Sequence, residues 1–181
     1  MSDIINDNNI DDKKKDPNDI TARHLFVLDE SQASSLTPLG ETPKSIRRAY
    51  NAGRHFFGGS GVIAIVGAFN YPTALGDFNV FSRQFGLPSE TSTNVMAATN
   101  KVFQVVNAKG VVPYLDTGWA MESALDIQWA HAMAPLAKII LVQATDNTYV
   151  GVAPTFPKIV AVPRMFLNPC LLYTSPSPRD S

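Results

Sequence analysis

The pattern of apolar and polar positions divides the middle of the chain into short alternating strands and helices. Four runs rich in β-branched residues are typical of buried strands: 62–66, 102–106, 111–115 and 138–144. Helical spacing of apolar residues, together with capping residues, predicts three helices: 42–50, 73–85 and 119–134. This alternation favours an α/β fold with a mostly parallel sheet.

The segment 119–134 is the most distinctive of the predicted helices. Its only formal charges are Glu122 and Asp126, and Pro135 follows its end. A spacing of four residues places both carboxylates on one face, where like charges cost about 0.2–0.5 kcal/mol. The other positions are almost all Ala, Leu, Ile, Met and Trp, which predicts a helix that is buried on most sides.

Apolar neighbours would change the chemistry of this acidic pair. Trp119, Trp129 and Met133 lie within about 60° of Glu122 around the helix axis. We therefore expect the two acids to lie in an apolar cleft, where burial and mutual repulsion favour the protonated form of a carboxyl group. Such a carboxylate is suited to act as a general base. The alternative interpretation is that Glu122 and Asp126 simply lie on a solvated acidic face of the helix.

The region around this helix resembles a known signature. Glu122-x-x-x-Asp126, a His- and Ala-rich turn, Ala134-Pro135 and Ala137-Lys138-Ile139 are similar to the signature helix of the sedolisins. These are serine-carboxyl peptidases with a subtilisin-like fold. The resemblance implies that Glu122 is the general base of the catalytic triad and that Asp126 hydrogen-bonds to it and orients it.

Further segments extend the resemblance over roughly residues 37–145. They include Thr42-Pro43 before a helix that ends in Ala49-Tyr50, the strand 63–66, and the stretch from Tyr71-Pro72 to Gly86-Leu87-Pro88. The chain departs from the family at Gly67, where sedolisins usually carry an acidic residue. Part of the polar support around the acidic pair is therefore expected to be missing.

The resemblance also implies what this chain lacks. In the sedolisins, the nucleophilic Ser of a Gly-Thr-Ser motif, the Asp of the oxyanion hole and the calcium ligands all lie downstream, and no Gly-Thr-Ser occurs here. The expected activity of the family is endopeptidase cleavage of peptides or proteins at acidic pH, by a monomer when full length. We expect this chain by itself to hydrolyse nothing.

The ends of the chain differ in composition from its middle. Residues 1–36 are polar and charged, which predicts a disordered tail and linker, and 37–150 would be a partial peptidase domain. Residues 151–169 are Pro-rich without periodicity, which suggests a frameshift. Residues 170–181 match the translation of a transposase adapter used in sequencing-library preparation, so we interpret them as an artefact and exclude them from the predicted fold.

Composition excludes several classes of function. The chain has 181 residues, is 45% hydrophobic and has a formal net charge of −1, so no electrostatic pattern favours nucleic acid or an anionic membrane. No apolar run approaches the length of a membrane span, and the polar start is unlike a signal peptide. The single cysteine, Cys170, excludes an internal disulfide.

Other chemical interpretations fit the residues less well. Asp116-Thr117-Gly118 copies the aspartic-protease tripeptide once, but Asp116 also suits the cap of the helix that follows. His131 lies about 180° from Glu122 on the predicted helix, which argues against a Ser-His-Asp site, and no His pair has metal-ligand spacing. The glycine-rich segment 58–61 precedes its strand, the wrong order for a dinucleotide site. A non-catalytic peptide-binding relative of the same fold stays open.

Overall fold

The structure is a computed structural model that describes residues 40–52, 59–148, 151 and 169–172. Three helices lie within these ranges: α1 (Pro43–Ala49), α2 (Ala74–Gln84) and α3 (Thr117–Met133). Four strands accompany them: β1 (Val62–Ala68), β2 (Phe103–Asn107), β3 (Lys138–Ala144) and β4 (Pro169–Leu172). The predicted disordered tail 1–36 lies outside the described residues.

The strands form one parallel sheet in the order β2-β3-β1-β4. Val62 of β1 pairs with Lys138 of β3, and Phe103 of β2 pairs with Ile139 of β3. Parallel neighbours need a crossover, and α3 provides it between β2 and β3. The predicted α/β class with a parallel sheet is therefore confirmed for the described part of the chain.

Apolar side chains pack on both faces of the sheet. The face that contacts α2 and α3 carries Ile65, Phe103 and Leu141, which pack with Phe78 and Ile127. The rings of Phe78 and Phe103 stack with their centroids 4.5 Å apart. The opposite face carries a second buried cluster: Val62, Ala64, Val66, Ala108, Ile140, Val142 and Ala144. Burial of both faces explains why β1 and β3 are continuous apolar runs without alternation.

Helix α1 is connected to the end of α3 by one side chain. Thr42 caps α1, as the sequence predicts, and the structure adds a reciprocal pair of hydrogen bonds between Thr42 and Ser45. Arg47 then donates from Nε to the carbonyl of Ala132 (2.9 Å) and from a terminal nitrogen to that of Met133 (2.7 Å). Positive charge at these carbonyls stabilises the C-terminal end of α3.

The predicted strand at 111–115 is wrong. The structure has only an isolated bridge there, between Leu115 and Asn70, and Asn70 N donates to Tyr114 O. Val111 and Val112 are 62% and 63% exposed, so the apolar side chains that suggested a buried strand face solvent. Pro113 lacks a backbone donor, which also disfavours a regular ladder.

Residues 170–172 were excluded from the predicted fold, and Pro169 ends the segment that was interpreted as frameshifted, yet the structure pairs 169–172 with β1. Residues Pro169 to Leu172 lie parallel to Val62 to Ile65 as β4. An unpaired strand edge accepts another extended segment through backbone groups alone, so this pairing needs no particular side chains. None of the helices in the described ranges is both long and apolar enough to cross a membrane.

Candidate acidic site on helix α3

Helix α3 begins two residues before the predicted start, because a side chain caps it there. Asp116 has extended backbone geometry, and its Oδ1 accepts a hydrogen bond from Trp119 N at 2.9 Å. This satisfies one of the amide groups that a helix leaves free at its N-terminus. The predicted capping role of Asp116 is confirmed, and the carboxylate is accordingly engaged in holding the helix.

One stripe of α3 faces the core. Its buried members recur every four residues: Trp119, Ser123, Ile127 and His131. Met121 and Leu125, on another side, are 39% and 50% exposed. Every other residue from 119 to 134 is buried or partly buried, so the predicted burial on most sides is confirmed except at the side that carries Met121 and Leu125.

Glu122 and Asp126 lie beside the buried stripe and one helical turn apart. Each directly precedes a buried member of that stripe, Ser123 or Ile127, and both acids are half-buried. Trp119 is almost fully buried. The pair therefore borders apolar packing on one side and the solvent-facing side of the helix on the other.

The N-terminal half of α3 starts at the carboxyl end of the sheet. Asn70 follows β1 closely, and its bridge to Leu115 holds the residue just before the Asp116 cap. In open parallel sheets, ligand sites form beyond the carboxyl ends of the strands. Glu122 is in the second turn of the helix that starts at this edge.

Helix α3 lies very close to β1 at Gly67. A Cβ built at Gly67 would lie 2.6 Å from Ser123 Oγ and 3.4 Å from Leu141 Cδ1. An acidic side chain at residue 67, as the sedolisins usually have, would require the Ser123 hydroxyl to rotate away or α3 to shift. The presence of Gly67 in place of an acidic residue therefore agrees with the close packing of Ser123 against β1.

A row of polar residues crosses the sheet at the level of Gly67. Gln143 of β3 pairs with Gly67 on one side and with Asn107 of β2 on the other. Both amide side chains are buried, and neither Gln143 Nε2 nor Asn107 Oδ1 has a hydrogen-bond partner among the described residues. These polar side chains lie near the carboxyl ends of the strands, and α3 begins at the same end of the sheet.

His131 belongs to the core and not to the acidic pair. It is fully buried, its Nε2 lies 2.8 Å from the carbonyl oxygen of Pro88, and its ring centroid is 4.6 Å from that of Phe78. Burial lowers the pKa of His131, although the contact with the Pro88 carbonyl opposes this effect. The neutral imidazole fills space between α2 and α3, in agreement with the sequence argument against a Ser-His-Asp site.

Glu90 is a buried acid that the sequence pattern did not single out. Its side chain accepts from the backbone N–H groups of Ser92, Lys101, Val102 and Phe103 at 2.8–3.3 Å. Burial alone would raise the pKa of Glu90, but these donors together hold it below the ordinary value. No local signal marks this role, because three of the donors lie more than ten residues away.

The part of the chain that the structure describes contains no group of three or more His, Cys, Asp or Glu side chains arranged to hold a metal ion. Asp146, just beyond β3, accepts instead from Thr148 N (3.0 Å) and Thr148 Oγ1 (2.5 Å). Burial would raise the pKa of Asp146, but the hydrogen bonds from Thr148 outweigh it and lower the pKa.

Comparison with protein-family models, with curated proteins and with solved structures found no match.

Proposed function

We propose that this chain is the N-terminal part of the catalytic domain of a serine-carboxyl endopeptidase with a subtilisin-like fold. The observation that carries the proposal is the acidic pair of α3, Glu122 and Asp126, one turn apart and half-buried on a helix that begins at the carboxyl end of a parallel sheet. The similarity of residues 118–139 to the sedolisin signature is the reason for proposing serine-carboxyl peptidase chemistry.

In the proposed mechanism, Glu122 is the general base. Its carboxylate takes the proton from a serine hydroxyl as the serine oxygen attacks the carbonyl carbon of the scissile peptide bond, and it later returns that proton to the leaving amine. Asp126 is the positioning residue that holds Glu122 by a hydrogen bond. Because a carboxylate replaces histidine as the base, the rate is expected to be highest at acidic pH.

The nucleophile belongs to a part of the proposed enzyme that this chain does not contain. No Gly-Thr-Ser occurs in the sequence, so the chain alone is expected to be inactive. The calcium ion implied by the family would likewise be bound by downstream residues, and the described residues offer no acidic cluster for it. None of the proposed steps passes through that ion.

One observation favours a second candidate, a non-catalytic peptide-binding relative of the same fold. Ser123 Oγ fills the space next to Gly67 where the sedolisins carry an acidic side chain. An acidic pair without that support could survive in a protein that binds peptides without cleaving them. The two candidates differ in the sequence that the parent gene encodes downstream of this segment.

An independent long read of the parent gene beyond the codon for Pro169 distinguishes them. The catalytic proposal expects the reading frame to continue to an Asp and then to a Gly-Thr-Ser motif. A continuing frame in which another residue replaces that Ser would favour the binding protein. A stop codon before either motif would contradict the catalytic proposal.

A further inference from the structure

Among the strands that the structure describes, β2 forms one end of the sheet. Its backbone groups point alternately toward β3 and away from it. Ile139 N donates to Val102 O (2.8 Å), and Ala108 N donates to Gln143 O (2.9 Å), so even-numbered positions face β3. Phe103 and Val105 therefore direct their backbone groups to the outer edge. An uncovered edge of this kind can pair with another strand.

The segment 90–101 binds three of the backbone groups on that outer edge. Phe103 N donates to the Glu90 carboxylate (3.3 Å), Phe103 O accepts from Asn100 Nδ2 (3.0 Å), and Val105 N donates to Val95 O (2.9 Å). These contacts come from two side chains and one carbonyl, not from a strand. We call the segment 90–101 the strap, because it covers the edge of β2 without joining the sheet.

The Glu90 carboxylate holds both ends of the strap. One oxygen accepts from Ser92 N near the start, and the other accepts from Lys101 N and Val102 N at the end. The backbone of Glu90 is fixed to α2, since Asn79 Oδ1 accepts from Glu90 N and Asn79 Nδ2 donates to Glu90 O, both at 2.9 Å. Loss of this one charge would weaken the acceptor of four backbone N–H groups, of which one is buried and three are partly buried.

The strand beneath the strap has the composition of a segment that pairs readily. Phe103-Gln104-Val105-Val106-Asn107 contains no charge and no proline, and it is rich in β-branched and aromatic residues. Edges of this kind usually carry a charge or a proline that prevents association. Here the strap supplies the protection instead.

We propose that the strap is latched by the Glu90 carboxylate and that its release opens the edge of β2 to pairing with a second copy of this chain. The same edge on two copies would join them about a two-fold axis, with the two β2 strands antiparallel. The proposal concerns association and is independent of the proposed peptidase chemistry.

Hydrogen exchange on the unaltered full chain tests the strap. The amide of Val105, which the strap protects, is expected to exchange at least about tenfold faster than the amide of Leu141 in the central strand β3, because the strap can open while the sheet stays folded. Equal exchange at both amides would mean that the two regions open only together, which would overturn the proposal.

The variant Glu90→Gln tests the latch and the pairing, with Glu41→Gln at an exposed position as the matched control. Glu90→Gln is expected to increase the exchange ratio of Val105 to Leu141 and to produce a concentration-dependent dimer in light scattering, whereas Glu41→Gln behaves like the unaltered chain. If Glu90→Gln leaves the ratio unchanged, even if both amides exchange faster, Glu90 does not hold the strap in place. An increased ratio in a variant that associates no more than the control would contradict the pairing.

Discussion

Gly67 on β1 and Ser123 on α3 approach so closely that a Cβ at residue 67 would lie 2.6 Å from Ser123 Oγ but 3.7 Å from Ser123 Cβ. The conflict therefore involves the hydroxyl group alone. The space beside Gly67 is therefore occupied by a side-chain oxygen of the helix that bears the acidic pair.

Gly67→Ala is expected to destabilise the fold by about 1–3 kcal/mol, since the extra methyl group forces the Ser123 hydroxyl out of its position or shifts α3. In a Ser123→Ala background the same change should cost much less, because the ideal Cβ then meets only ordinary contacts. Chemical unfolding of the four chains gives the coupling energy. Equal destabilisation in both backgrounds would show that the hydroxyl does not limit the approach.

Stability should fall as the pH decreases through the range in which histidine titrates. Burial lowers the pKa of His131 in the folded chain, so between that pKa and the unfolded value of about 6.5 the unfolded chain binds more protons. The stabilising effect of the neutral imidazole is complete above about pH 6.5 and declines below it, by at most about 1.4 kcal/mol per pH unit.

Urea unfolding between pH 7.5 and 5 measures this dependence. The variant His131→Gln should be less stable at neutral pH but should lose less stability on acidification, because it removes the titrating group. His55→Gln provides a comparison at a residue for which no such pH effect is proposed. A His131→Gln variant with the same pH slope as the unaltered chain would contradict a buried neutral histidine.

Glu90 should affect stability at lower pH than His131 does. The backbone N–H groups lower the pKa of Glu90, so the unfolded chain binds the proton first as the pH falls. The contribution of the charged carboxylate is therefore complete above about pH 4.5 and is lost as the pH falls through the folded pKa.

Glu90→Gln removes this contribution at every pH. We expect the free energy of unfolding to fall by about 1–3 kcal/mol near neutrality, because buried and partly buried N–H groups lose a charged acceptor. The difference in unfolding free energy between Glu90→Gln and the unaltered chain should then shrink in strong acid. A difference that stays constant down to pH 2 would show that the charge of Glu90 is not what stabilises the strap.

Parts of this fold could be predicted because they depend on local pattern. The seven-residue strand β3 has the predicted bounds, since both of its faces are buried and its apolar run ends at polar residues. The caps Thr42 and Asp116 could be predicted because each bonds to an amide three residues away. The segment 111–115 misled the prediction because exposed valines resemble buried ones in sequence.

The remaining features depend on contacts between distant segments. Glu90 reaches amides at 101–103, and Ser123 meets Gly67 only when α3 packs on the sheet. The spacing of Glu122 and Asp126 is visible in the sequence, and so is their position on one side of a helix. Their catalytic role rests on the resemblance and stays a prediction.

Peptide hydrolysis by the full-length parent protein carrying Glu122→Gln, with Glu41→Gln as the matched control, tests the proposed function at its chemical step. We expect Glu122→Gln to lower kcat by about 10²–10⁴-fold at acidic pH with little change in unfolding free energy, because only the proton acceptor is lost. Glu41→Gln should retain full activity. Hydrolysis by Glu122→Gln at the rate of the control would contradict the assignment of Glu122 as the general base.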